Sequence, residues 1–203
     1  MRYKTLSALI ATAAFAPFVA QAEGLSYTFL EAGYLNTDID EFDETVGGWG
    51  LKGSFEITEN IFAFANYSDQ SAEIGQGLGD IDLQGWDLGV GYAYPIAKQT
   101  DIYGTIGYVS VDADLPEWTE EFIDSDPEDN GYSLGLGIRT RFAERFEVEG
   151  TAQYANLSDF GDEFQFDFQG RWYITDMFAL GVGYIAGDET STFYGGVRME
   201  FGN

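Results

Sequence analysis

Three stretches of the chain hold functional groups close enough together for chemistry. Lys52 and Ser54 stand two apart in LKGSFE, and Glu147 and Glu149 stand two apart in FEVEG. A lysine beside a serine could activate the hydroxyl as a nucleophile, and two carboxylates could divide acid and base work. The third stretch, DADLPEWTEEFIDSDPEDN at 112–130, carries nine acids and no base. Within it Asp124, Asp126 and Glu128 set carboxylates at alternate positions, as calcium loops do, but without the glycine and late bidentate glutamate of an EF-hand. The chain has no histidine and no cysteine. That excludes an imidazole base and removes the two ligand types that zinc sites mainly use. Gly75-Gln76-Gly77-Leu78-Gly79 has the glycines of a phosphate loop, but it opens no helix and its surroundings are acidic. We therefore assign no catalytic residue and no cofactor. Calcium or magnesium at Asp124, Asp126 and Glu128 is the single metal expectation.

The elements that must position these groups show a period of two. In GYSLGLGIRTRF (131–142), Tyr132, Leu134, Leu136, Ile138 and Phe142 alternate with Gly131, Ser133, Gly135, Gly137, Arg139 and Arg141. Such alternation marks a strand with unlike faces. It recurs at 49–57, 86–94, 146–154, 164–174, 178–184 and 193–201, and less cleanly at 25–37, 61–70 and 100–112. The expected count is ten strands, with eight as the alternative. The connections near 58–60, 96–99, 143–145 and 175–177 are tight. Those near 38–47, 70–82, 112–130, 158–163 and 187–191 are mostly longer. Short turns at one end and long loops at the other are the habit of an antiparallel up-and-down transmembrane β-barrel.

The charges decide which face is inside. Lys52, Arg139, Arg141, Arg171 and Arg198 all fall on the non-apolar face of their strands, as do Glu31, Glu56, Asp87, Glu147, Glu149, Asp167 and Glu200. In a narrow lumen such groups must pair. The same-face pairs Lys52/Ser54 and Glu147/Glu149 are then ion-pair partners rather than catalysts. Leu136 faces lipid, and the neighbouring Gly137, facing the lumen, is expected to tolerate serine. Aromatic residues gather toward both strand ends, as interfacial girdles do.

Residues 1–22, MRYKTLSALIATAAFAPFVAQA, have the basic start, short apolar run and small-x-small ending of a cleaved secretory signal. The barrel domain is expected over 23–203. The full chain has a net charge of −26, and losing Arg2 and Lys4 with the leader makes it more negative still. A surface of that sign disfavours nucleic acid.

AEGLSYTFLEAGY (22–34), GGWGLKGSFEITENIFAFANYSDQ (47–70), WDLGVGYAYPI (86–96) and NGYSLGLGIRTRF (130–142) resemble the small outer-membrane barrels once described as diffusible activators of plant immunity, which are broadly like the OmpX and OmpA barrels. The resemblance implies a surface-exposed barrel in the bacterial outer membrane, exported through the periplasm and without known enzymatic activity. The roles expected of it are adhesion, envelope integrity or surface interaction. A narrow, porin-like channel is the alternative, and a soluble lipocalin-like barrel is a third. The expected partners are outer-membrane lipid, lipopolysaccharide and the barrel-assembly machinery, with the barrel acting as a monomer.

Overall fold

A computed structural model describes residues 25–39, 42–73, 80–114, 128–158, 161–188 and 190–201. It places ten strands in chain order: β1 (Phe29–Ile39), β2 (Phe42–Glu56), β3 (Ile61–Glu73), β4 (Asp80–Ala97), β5 (Thr100–Asp114), β6 (Glu128–Phe142), β7 (Phe146–Leu157), β8 (Gly161–Tyr173), β9 (Phe178–Ala186) and β10 (Thr190–Glu200). Each strand pairs antiparallel with its neighbours in sequence, and β1 pairs with β10 to close the barrel. Closure leaves no edge strand with unpaired backbone groups, the condition for crossing a bilayer with strands.

The turns at one end are as tight as their sequences require. Ile57 N and Thr58 N both donate to Ile61 O at 2.8 and 3.0 Å, and Ile174 N donates to Phe178 O at 2.8 Å. Between β6 and β7, Ala143 and Glu144 hold left-handed backbone at φ 52° and 63°. That geometry lets so short a connection follow the twist of the strands it joins.

The opposite end differs from the sequence expectation. The ladders continue into the stretches read as long loops. Ile39 pairs with Phe42, Glu73 with Asp80, Asp112 with Glu128 and Leu157 with Gly161. Apolar alternation stops where an apolar surround stops. Backbone donors and acceptors still need partners beyond that point, and the ladder supplies them.

The two faces of the wall are inverted relative to a water-soluble protein. Leu136 is 67% exposed and Val182 69%, whereas Arg139 and Glu147 are each 1% exposed. On the outer face, Trp49, Tyr67 and Trp86 meet in series at tilted angles toward the loop end, with ring centroids 5.2 and 4.4 Å apart. Tyr184 and Phe193 meet there at 4.7 Å, while Phe142 and Phe146 stack at 6.0 Å at the turn end.

The interior is layered. Leu25, Tyr27, Phe29, Phe62, Phe64, Ala93 and Tyr103 form an apolar cluster at the turn end. Val46, Leu83, Val109, Val111, Ala113 and Leu157 are buried toward the loop end. This explains the poor alternation at 25–37, 61–70 and 100–112: those strands carry apolar residues on both faces. Interior rings lie over glycines directly opposite them on the neighbouring strand, Phe62 over Gly91 and Tyr103 over Gly137. A Cβ at Gly91 would meet Phe62 Cζ at 1.8 Å, and one at Gly137 would meet Tyr103 Cζ at 2.2 Å. Gly137 therefore has no room for serine, contrary to the expectation from its lumen position alone.

Candidate functional site: a buried charge layer in the lumen

β6 and β7 leave their tight turn with Arg141 opposite Glu147 and Arg139 opposite Glu149. The side chains do not all follow these rungs. Arg139 Nη2 donates to Glu147 Oε2 at 2.8 Å, and Arg141 Nη2 donates to the same oxygen at 2.9 Å. Arg171 Nη1, from β8, donates to Glu147 Oε1 at 2.8 Å. One carboxylate thus serves three guanidinium groups. Glu200, from β10, accepts from Arg139 Nη2 at 2.9 Å and from Arg141 Nη2 at 3.1 Å, and it also accepts from the Tyr173 hydroxyl. β10 reaches β6 across the lumen, so these bonds tie opposite walls together.

A second knot lies beside the first. Arg198 Nε donates to Glu31 Oε2 at 2.7 Å, and Gln169 Nε2 donates to Glu31 Oε1 at 2.9 Å. Arg171 Nη1 also donates to Glu149 Oε2 at 2.6 Å, and the Tyr103 hydroxyl donates to Glu149 Oε1 at 2.6 Å. Aromatic faces cover the cations: Arg139 on Tyr27 at 4.9 Å, Arg141 on Tyr173 at 3.9 Å and Arg198 on Phe29 at 3.7 Å. Burying so many charges costs several kcal/mol of desolvation per ion, and only dense mutual pairing offsets it. Each carboxylate here has at least two partners, the pattern in which a buried polar network rigidifies its surroundings.

Farther toward the loop end the layer thins. Lys52 Nζ lies 3.9 Å from Asp167 and 4.8 Å from the Tyr194 ring, and the Tyr194 hydroxyl donates to Asp167 at 2.8 Å. Asp87 accepts from Ser133 Oγ at 3.0 Å and Gln153 Nε2 at 3.2 Å. It stands apart from the ion-pair knots although it shares their face. Glu56 sits at the rim of the layer, where it accepts the Tyr27 amide at 2.8 Å. Sequence reasoning missed Asp101, which is buried and takes the Tyr27 hydroxyl at 2.7 Å. It also missed Asp129, which accepts the amides of Asn130 and Ser158 at 2.6 and 3.2 Å. Both lie on inward positions of their strands, so parity alone would have included them.

The groups singled out for chemistry are engaged elsewhere. Ser54 Oγ donates to the Ala63 carbonyl at 3.3 Å while Lys52 turns to Asp167. Glu147 and Glu149 are held by arginines. Asp124 and Asp126 lie outside the described residues, and Glu128 is exposed at the start of β6. Among the described residues no group of three or more potential ligands is placed to hold a metal ion.

A water-filled pore wets the side chains that line it. At the level of Arg139, Glu147, Arg198 and Glu200 each residue is at most 2% exposed, so these groups are close-packed against one another rather than wetted.

The fold has solved counterparts. The NanC porin matches at a TM-score of 0.55 with 9% identity, over 85% of this chain and 100% of that one. The COG4313 outer membrane channel from Pseudomonas putida F1 matches at 0.52 with 9% identity, over 93% and 100%. Ail, the attachment invasion locus protein of Yersinia pestis, matches at 0.43 with 13% identity, over 85% and 97%. Comparison with curated proteins found no match. Residues 5–185 match the family described as "Outer membrane protein beta-barrel domain". That match spans most of the chain and agrees with the closed ten-strand barrel, and so the chain belongs to the family of outer-membrane β-barrel proteins.

Proposed function

We propose that this protein is a sealed, non-enzymatic outer-membrane barrel that works from its external rim, in adhesion, envelope integrity or another surface interaction. The observation that carries this reading is the charge layer in which Arg139, Arg171, Arg198, Glu147 and Glu200 are all buried. A lumen filled with paired side chains leaves the outside of the barrel to do the work. There the strands run past the aromatic girdle and present Asp38, Asp82, Asp112, Glu128 and Asp162, with Asp188 just beyond β9, all exposed. Asp112 stands directly opposite Glu128 across the β5–β6 ladder. Like charges directly opposed destabilise a sheet, which favours a role for them outside folding.

On this proposal residues 1–22 are a signal removed during export through the periplasm, the assembly machinery inserts the barrel, and the rim meets lipopolysaccharide as a monomer. The test is a strain carrying Asp82→Asn, Asp112→Asn and Glu128→Gln. Surface attachment or envelope resistance should fall toward that of a strain lacking the protein, with barrel abundance unchanged. Wild-type behaviour in both assays would remove the rim from the function.

The second reading is a narrow channel for small solutes or ions. It draws support from the polar middle of the lumen, where Lys52 lies beside Asp167 and where Gln153 donates to Asp87 and accepts from Gln165. Ion conductance separates the two.

A further inference from the structure

The segment just ahead of β1 does not continue along the wall. Leu25 and Tyr27 are 0% exposed and Ser26 is 2% exposed. The Ser26 carbonyl accepts from Arg139 Nη1 at 3.0 Å, and the Tyr27 hydroxyl donates to Asp101 Oδ2 at 2.7 Å. Arg139 is on β6 and Asp101 on β5, five and four strands around a ten-strand barrel from β1. The segment therefore reaches the far wall of the turn-end mouth. Its near side is fastened too. Tyr27 N donates to Glu56 Oε1 at 2.8 Å, Phe201 N donates to Thr28 O at 2.8 Å, and Ser26 Oγ donates to Phe201 O at 2.9 Å. The Tyr27 ring stacks on Phe62 at 5.9 Å and lies over the Arg139 guanidinium.

We propose that residues 25–28 are a strap that closes the turn-end mouth of the barrel by spanning from β1 to Arg139 and Asp101. The strap deepens the sealed-barrel reading by naming the segment responsible for closure at that end. Two features suit it to closing and opening rather than to wall building. It is short and terminal to the first strand, so releasing it breaks no ladder between the ten strands. Among the described residues it holds the far wall through two hydrogen bonds, so local opening requires far less than global unfolding.

The test uses full-length mature protein, a variant lacking residues 23–27, and Tyr27→Ala. Each is refolded in lipid and certified by heat-modifiable gel mobility. The charge layer stays in place in all three, so conductance serves only the intact barrel, and the strap is read by access to a cysteine placed at Ala93, which is buried in the turn-end cluster with Tyr27. A charged thiol reagent should label Ala93→Cys fastest in the strap-deleted barrel, with Tyr27→Ala between it and the intact strap, and equal labelling of intact and strap-deleted folded barrels overturns the strap. The sealed-barrel reading is judged separately, on the intact protein alone. Should the deletion fail to fold, Leu25→Cys supplies the answer, since the chain has no other cysteine. Its labelling by a charged thiol reagent should be slow, and roughly tenfold faster once Tyr27→Ala removes one buried hydrogen bond. Unchanged labelling contradicts a strap held in the mouth by Tyr27.

Discussion

Arg139 bonds diagonally to Glu147, at 2.8 Å, and not to Glu149, the residue directly opposite it in the ladder. The diagonal frees Glu149 for Arg171 and Tyr103, and it makes Glu147 the meeting point of guanidinium groups from β6 and β8. The network is thus wider than a single hairpin.

Glu147→Gln is expected to destabilise the barrel by about 3–5 kcal/mol, the range for breaking a buried ion pair and stranding its partner. Arg139→Gln paired with it should cost clearly less than the sum of the two single changes, because each removes the other's partner. Urea titrations in lipid vesicles measure both. Additive costs would mean that Arg139 and Glu147 do not depend on each other.

Leu136, two-thirds exposed on the outer wall, should reject charge. Leu136→Arg is expected to cost roughly 2–4 kcal/mol if it lies near the bilayer midplane. Gly137→Ser should also be costly, about 1–3 kcal/mol, through overpacking against Tyr103. Adding Tyr103→Leu should make the pair cost less than its parts. A Leu136→Arg barrel as stable as wild type would reverse the assigned faces.

Much of this was legible in the residues, and what escaped has physical reasons. Where the lumen side is glycine or charge, as on β6, β7 and β8, alternation marks the strand and its inward face. Alternation states which way a residue points but not where it stands around the barrel. Glu200 could therefore be placed inside, but not beside Arg139 and Arg141, which approach it from across the lumen. Tyr27 escaped because an apolar segment ahead of a strand reads as more strand. Gly137 looked roomy because nothing local announces that Tyr103 lies over it. The loop end was misjudged because ladder hydrogen bonds continue where apolar alternation gives out.

The opposed pair Asp112 and Glu128 should weaken the sheet it sits on. Asp112→Asn is expected to raise stability by about 0.2–1 kcal/mol at low salt, with the gain shrinking as salt screens the pair. Unfolding midpoints at two ionic strengths check it. A loss of stability would show that the two carboxylates share a favourable partner.

A divalent cation engaging Asp124, Asp126 and Glu128 is a separate proposal. On that proposal calcium protects the 112–130 segment from protease, a chelator removes the protection, and Asp124→Asn with Asp126→Asn abolishes the response. Cleavage indifferent to calcium would dismiss the metal.

The most direct measurement of the central claim is the conductance of the intact, refolded barrel in planar bilayers. With Arg139, Glu147, Arg198 and Glu200 buried across the lumen, the expected trace is the bare-bilayer baseline, with no discrete openings under applied voltage. Sustained, protein-dependent openings from intact barrels would contradict a sealed lumen and return the function to transport.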